Sequence, residues 1–187
     1  YLDEYYSESI VLKGEKNFNT NNKFSLGYGG EYKYDWGAFE NRGSYSASTK
    51  GHMKNAGAFA NFGLKLSEDK TLSLYGRFDD HNTTDLNSTY KINFIQLFNN
   101  FQIGGTHSTG LRNPSLYELY GSDNYGIKGN TDLDPEKSKT NEIYGIFDFS
   151  NNIKITSTAY KSKVFDRIES NSAYTKHENL RTDINQE

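Results

Sequence analysis

Few side chains in this sequence have the types and spacing that chemistry requires. The strongest group is Asp79, Asp80 and His81, three adjacent residues that could bind a metal ion. Two carboxylates fall short of the six to eight oxygen ligands that calcium usually takes. We therefore favour a solvated strand end and predict no metal site. The sequence has no cysteine, which excludes thiolate metal sites and disulfides. No nucleophile–histidine grouping is apparent, and we predict neither a cofactor nor an enzyme.

The glycine-rich stretch at residues 27–30 does not indicate a phosphate-binding loop. Such loops join a strand to a helix, whereas "GYGG" lies inside an alternating segment. The formal net charge is −3, so the chain lacks the basic footprint of a nucleic-acid-binding protein. We predict no nucleic-acid partner.

Aromatic side chains are the remaining candidates for ligand contact. The sequence has 15 tyrosines, 12 phenylalanines and one tryptophan. Four of them fall in segments that we expect to be loops, and their faces could stack on a large ligand: Trp36, Tyr117, Tyr120 and Tyr125. Tyrosine and tryptophan are also enriched at membrane interfaces, and the sequence leaves the two roles open.

The elements that position these residues have the pattern of β-strands. Residues Phe24–Tyr34, "FSLGYGGEYKY", alternate between two faces over eleven residues. This period of two is too regular for a loop and wrong for a helix. The same alternation recurs in residues 56–66, 71–79, 90–94, 141–149 and 153–160. We predict an all-β fold with eight or nine strands.

The predicted connections alternate between short and long. Short polar turns are expected at 67–70, 98–100 and 150–152, and longer loops at 35–52, 81–88, 111–137 and 164–175. This alternation is typical of an up-and-down antiparallel barrel in an outer membrane, with short turns on one rim and long loops on the other. No run reaches the roughly 18 apolar residues of a membrane helix. A soluble β-sandwich is the alternative, because its strands alternate in the same way.

The alternation also predicts which side chains face lipid. We expect lipid-facing side chains at Phe62, Leu64, Leu72, Leu74, Ile143 and Phe147. We expect lumen-facing side chains at Ser73, Tyr75, Arg77, Glu142 and Asp148.

The two prolines of the chain, Pro114 and Pro135, bracket one polar, aromatic segment. Asn113 suits a helix N-cap, Pro114 the first helical position and Gly121 a left-handed residue that ends a helix. We predict about two turns of helix in residues 113–121 and no long helix elsewhere.

Two motifs in this segment resemble the barrel signature of TonB-dependent outer-membrane receptors. They are "GLRNPSLYELYG" and "GNTDLDPEKSKTNEIYG", and the resemblance extends over nearly the whole chain. The residues that match and that we expect to be scaffold are Arg112, Pro114, Tyr117, Glu118, Gly121, Asn130, Leu133, Pro135, Glu136 and Glu142. Leu111, Asn113 and Thr131 depart from the family's usual residues.

The resemblance implies an active-transport receptor in the bacterial outer membrane. Receptors of this family are barrels of about 22 strands with an N-terminal plug. They take energy from the inner-membrane proton gradient through a TonB-type periplasmic protein, which engages the N-terminal part of the receptor. We therefore expect residues 1–187 to be part of the barrel domain, without the plug and the C-terminal strands, and to contact outer-membrane lipid.

The resemblance also suggests the imported nutrient. Haem-type members carry a histidine between the two motifs, and this sequence has none between Arg112 and Pro135. The spacing of the motifs most resembles the cobalamin branch, so we expect an organometallic nutrient, with cobalamin first and a ferric siderophore second. The alternative is a soluble β-rich adhesin or carbohydrate-binding module.

Overall fold

The computed structural model describes residues 3–20, 23–42, 47–150, 153–180 and 183–186. Within these ranges no helix has the length and apolar character needed to cross a membrane.

Nine strands form one antiparallel sheet, and eight of them follow the order of the chain. Their bounds are β1 (Asp3–Thr20), β2 (Phe24–Asn41), β3 (Ala47–Ser67), β4 (Lys70–His81), β5 (Asp85–Leu97), β6 (Phe101–Arg112), β7 (Glu136–Ser150) and β8 (Ile153–Phe165). The other elements are the helix α1 (Leu116–Tyr120), the hairpin of β9 (Arg167–Ser170) and β10 (His177–Leu180), and β11 (Ile184–Gln186), which pairs with β8. The predicted up-and-down wall of eight or nine strands is confirmed.

The short turns are where the alternation predicts them. Residues 67–70 and 98–100 join β3 to β4 and β5 to β6. The third turn lies between Ser150 and Ile153, and its residues 151–152 are outside the described ranges. These turns share one rim of the sheet, which we call the lower rim.

Two of the predicted long loops are wrong. Strands β2 and β3 continue pairing from Asp35 opposite Met53 to Asn41 opposite Ala47, so most of the expected loop 35–52 is strand. Residues 43–46 of that loop lie outside the described ranges. Similarly, β5 begins at Asp85, which leaves only residues 82–84 between β4 and β5. The alternation of "DWGAFEN" continues through these polar and glycine residues, and ladder hydrogen bonds outweigh their low strand propensity.

The other two loops are on the upper rim, as predicted. The segment between Arg112 and Glu136 contains α1 and little other regular structure. The predicted loop 164–175 is partly strand, because β8 extends to Phe165 and the β9–β10 hairpin follows.

The register confirms the predicted grouping of these side chains on two opposite faces of the wall. Leu74 lies opposite Phe62 on β3 and Ile92 on β5, and Ile143 lies opposite Gly105 on β6. Side chains alternate strictly between the faces of a strand, so all six predicted lipid-facing residues share one face. The five predicted lumen-facing residues share the other. The segment 113–135 packs on this second face, which we call the inner face.

The helix of the upper rim begins two residues later than predicted. Its N-cap is Ser115, whose hydroxyl accepts from the Glu118 backbone N–H, while the Glu118 carboxylate accepts from the Ser115 backbone N–H. This capping box outweighs Asn113 as a cap, and Pro114 therefore precedes the cap. Gly121 ends the helix with φ −64°, an extended conformation rather than the predicted left-handed one.

Candidate functional site

The helix α1 lies against a pair of glycines on the inner face of the wall. Gly37 of β2 and Gly51 of β3 are cross-strand partners. A Cβ on Gly51 would lie 2.0 Å from the Tyr120 ring, and one on Gly37 would lie 3.2 Å from the Leu116 side chain. The glycine pair therefore forms a shallow seat that accepts α1 against the backbone.

Aromatic rings fix the orientation of the helix. The Tyr117 ring makes edge contacts with Tyr5, Phe39 and His177, at centroid distances of 5.9, 5.8 and 5.8 Å. Its hydroxyl donates to Asp123 Oδ2 at 3.1 Å. Burial raises the pKa of the Tyr117 hydroxyl, and the neighbouring Asp123 charge raises it further. Tyr117 is thus a neutral packing residue that ties α1 to β1, β2 and β10.

A tight turn follows the helix and presents one exposed ring. The buried Asp123 carboxylate accepts backbone N–H groups from Tyr125 at 2.9 Å and from Ile127 at 3.0 Å. Asn124 is also buried and donates to Asp3 at the start of β1. Tyr125, the residue that follows Asn124, is 86% exposed. The turn is therefore fixed in place while its aromatic ring projects into solvent.

A small apolar core holds the rest of the segment. Leu119, Leu133 and Ile168 are almost fully buried and contact one another, and Met53 and Tyr120 pack against them. Asn130 donates to the His177 carbonyl at 2.9 Å. Two hydrogen bonds join Asn179 to the backbone of Asp134. We call residues 113–135 together with the β9–β10 hairpin the loop plate, because these contacts make them one packed unit.

An arginine clamp anchors the base of the loop plate to the wall. Arg112, the last residue of β6, binds Glu136 of β7 through two nitrogen–oxygen contacts of 2.7 and 2.8 Å. It also binds Glu118 of α1 at 3.0 and 3.1 Å. Burial by itself would raise the pKa of the Glu118 carboxyl. The hydrogen bonds from Arg112 and Ser115 outweigh burial and hold that pKa below its ordinary value.

A cavity of about 400 Å³ with a mixed polar and apolar lining is between α1 and the inner face of β1–β4. On its wall Lys33 pairs with the buried Asp35 at 2.9 Å, and the buried His81 lies nearby with Nδ1 on the Thr83 hydroxyl. Lining residues also come from α1 and the segment before it, among them Pro114 and Leu116. The cavity has donors and acceptors but no arrangement for covalent catalysis.

The candidate Asp79–Asp80–His81 group is split by the pleat of β4, and the expected solvated strand end is wrong for Asp79 and His81, which are buried. Asp79 and His81 are on the inner face, and Asp79 is bound by Arg77 at 2.7 Å and by Asn55 at 2.8 Å. Asp80 pairs with Ala56 and Leu86 on the outer face. Among the residues that the structure describes, no group of three or more histidines and carboxylates is arranged to hold a metal ion.

The structure does not bring the four predicted ligand-binding aromatics together. Trp36 is on the outer face of β2, in edge contact with Tyr6. Tyr117 and Tyr120 are packing residues of the loop plate, and the backbone carbonyl of Tyr120 accepts from the Thr49 hydroxyl. Tyr125 alone of the four is highly exposed on the loop plate. Ligand contact by these residues stays a prediction.

The residues predicted to be scaffold are in or beside the loop plate, apart from one. Glu142 lies lower on the inner face of β7, between Thr106 and Tyr160. Sequence reasoning missed Gly37, Gly51, Phe39 and Asn179, which carry many of the loop-plate contacts. The alternation of β2 and β3 places Gly37 and Gly51 on the same face of the sheet, which could have indicated their role. We expected residues 35–52 to form a loop and therefore did not extend the alternation to them.

Comparison with known proteins assigns the chain to a family. The family described as TonB dependent receptor-like, beta-barrel matches residues 1–183. The chain therefore belongs to the β-barrel part of TonB-dependent receptors. These are bacterial outer-membrane transport proteins and not enzymes. No curated protein sequence matches the chain.

Solved structures agree with this assignment at the level of the fold. The siderophore receptor PirA from Pseudomonas aeruginosa is 19% identical with a TM-score of 0.78, over 95% of this chain and 35% of that one. The ferric enterobactin receptor PfeA is 18% identical with a TM-score of 0.77, over 89% and 28%. The copper transporter OprC is 15% identical with a TM-score of 0.78, over 98% and 33%. The chain thus spans about a third of the length of these structures.

Proposed function

We propose that the chain is a section of the barrel wall of an active-transport receptor that imports a scarce nutrient. The family match over residues 1–183 is the observation that carries this proposal. The outer edge of β1 and the short partner β11 leave the sheet open. Because a long exposed edge invites aggregation, we infer that the other strands of a barrel cover it and that a plug fills the lumen.

We infer that energy for import comes from the inner-membrane proton gradient through a TonB-type periplasmic protein. The inner face has charged groups that a plug could bind, such as Arg77, which pairs with Glu31 and Asp79. The loop plate packs on the inner face at the upper rim. We propose that this rim faces the outside of the cell and that the ligand binds there.

The cargo that we propose is a bulky organometallic nutrient. The spacing of the two sequence motifs supports cobalamin as the first candidate. The names of PirA and PfeA, a siderophore receptor and a ferric enterobactin receptor, support a ferric siderophore as the second. We propose Tyr125 as the ligand contact, because its ring is exposed while the turn beneath it is fixed by Asp123.

Uptake by cells tests the function. Cells whose only outer-membrane route is the full-length protein should accumulate radiolabelled cobalamin, and collapse of the proton gradient should abolish accumulation. Accumulation that persists without the gradient would contradict active transport. Uptake of a ferric siderophore but not of cobalamin would replace the first cargo by the second.

A matched pair of variants tests the ligand contact. Tyr125→Ala should weaken ligand binding by about 1–3 kcal/mol if the ring is a hot spot. Trp36→Ala removes a larger ring from the outer face and should leave ligand affinity unchanged. The opposite result would place the ligand on the outer face of the rim and contradict our choice of Tyr125.

A further inference from the structure

Four lysines are grouped on the outer face of β7 and β8, near the upper rim. Lys137 and Lys139 belong to β7, and Lys161 and Lys163 belong to β8. By their register they share the face of Ile143, which points away from the loop plate. We call these four residues the outer lysine cluster.

The positive charges of the cluster repel one another across the paired strands. Lys139 and Lys163 are direct cross-strand partners, and like charges in that position destabilise a sheet. The Phe165 ring lies 5.6 Å from Lys139 Nζ and 4.9 Å from Lys163 Nζ, so it draws both ammonium groups toward one place. Asp183 contacts Lys163 at 2.5 Å and offsets one of the charges. An anionic partner would offset the charges of Lys137 and Lys139.

A cleft of about 350 Å³ opens beside these ammonium groups. Its apolar surface comes from Leu111 and Phe165, and its cationic border from Lys137 and Lys139. Asp166 is the carboxylate at its margin. The combination of an apolar surface with a cationic border suits an amphiphile better than a simple ion.

A second groove, of about 880 Å³, lies lower on the same face. Gly105 and Ala159 leave room in it between the larger side chains of Phe94 and Ile143. Its upper end is crossed by His107, which bonds Tyr90 at 3.1 Å and Asn141 at 2.8 Å. An apolar trough thus lies directly below a polar band that includes Lys161, and Lys137, Lys139 and Lys163 lie above that band.

The height of the cluster matches the border of the hydrocarbon layer. Lys139 is 11 residues from Ser150, the lower end of β7. At about 3.4 Å per residue and a tilt of about 40°, this corresponds to about 29 Å along the membrane normal. The apolar band of such barrels is about 25 Å tall. Lys139 and its cross-strand partner Lys163 are therefore at the level of the headgroups of the outer leaflet.

We propose that this face binds a lipid of the outer leaflet whose headgroup carries phosphate. The phosphate contacts Lys137, Lys139 and Lys163, and an acyl chain lies in the trough at Gly105 and Ala159. Lysine is a point charge suited to phosphate, and the trough gives the lipid an advantage over a free anion. This site is on the opposite face from the loop plate, so it is independent of the imported cargo.

The test uses the full-length receptor in neutral detergent, with lipid binding measured by native mass spectrometry. The probes are dioleoylphosphatidic acid, dioleoylglycerol and inorganic phosphate. Only the first should bind tightly. Each lysine near a membrane surface contributes about a five-fold effect on affinity, so Lys139→Gln with Lys163→Gln should weaken binding roughly 25-fold. Arginine at both positions keeps the charge and should retain binding.

The matched control removes two lysines from the inner face, Lys91→Gln with Lys154→Gln, and should leave lipid affinity unchanged. Gly105→Leu fills the trough and should weaken binding of phosphatidic acid several-fold without altering the lysines. If dioleoylglycerol binds as tightly as phosphatidic acid, apolar contact alone explains binding. If inorganic phosphate binds as tightly, the site binds anions without need of a lipid. If the control variant loses as much affinity as the variant of the outer face, net charge alone explains binding. Each of these three results overturns the proposal.

Discussion

The loop plate and the membrane wall are stabilised in opposite ways. In the loop plate, side chains such as Leu119 and Leu133 are buried at 1% and 2% exposure. In the wall, Leu74 and Ile143 are 39% and 63% exposed. There the sheet is stabilised by the hydrogen bonds between its strands and by the lipid that its outer face contacts. The comparison teaches that one chain can use lipid as the apolar environment in one region and build a protein core only where the rim rises out of lipid.

The largest loss of stability that would distinguish the loop plate from the wall is expected in the core of the loop plate. Leu119→Ala should cost about 2–5 kcal/mol of local stability, because it removes a fully buried side chain. Hydrogen exchange should show faster opening of residues 113–135 with the wall unchanged. Leu86→Ala is the control, since Leu86 is 67% exposed on β5. An equal loss at both positions would contradict a distinct core.

The next effect tests the wall. Leu74→Arg should cost about 2–4 kcal/mol if the residue is near the bilayer midplane, since a charge there meets hydrocarbon. Ser73→Arg, one residue away on the inner face, should cost little. Both values can be measured by denaturant unfolding of the full-length barrel in lipid. Similar tolerance at the two positions would reverse our assignment of the faces.

A smaller effect is expected at the seat of α1. Gly51→Ala forces the Tyr120 ring away, because the new Cβ would lie 2.0 Å from it. Overpacking of this kind costs about 1–3 kcal/mol, which protection of the Tyr120 backbone amide would report. Gly76→Ala is the matched control, because a Cβ there meets no atom within 4 Å. Unchanged protection in Gly51→Ala would mean that α1 does not depend on the glycine seat.

The smallest effect concerns the arginine clamp. The pKa of Glu118 is lowered in the folded state, so its contribution is present above the ordinary pKa of 4.5 and declines as pH falls through the folded value. Arg112 is 46% exposed, so we expect only about 1 kcal/mol. Hydrogen exchange of residues 115–121 should quicken below about pH 4.5. Glu118→Gln should remove that dependence, and a variant that retains it would exclude Glu118 as the titrating group.

The wall could be predicted from sequence because one local rule governs it. A period of two places Leu72, Leu74 and Phe62 on one face whatever the distant contacts are. The loop plate obeys no such rule. Its contacts join Tyr117 to Tyr5 and Asn124 to Asp3 across more than 100 residues, and no periodicity encodes them. The prediction of the N-cap of α1 was wrong for a related reason. The helix could begin after Asn113 or after Ser115, and only the reciprocal hydrogen bonds between Ser115 and Glu118 decide between them.

The loop plate also has a mechanical consequence. Its ends continue from β6 and β7 at Arg112 and Glu136, while α1 and Asn124 grip β1, β2 and β3 on the far side. It therefore links β6 and β7 to β1–β3 across the inner face of the sheet. Separation of β1–β3 from β6 and β7 would therefore require the glycine seat or the arginine clamp to break.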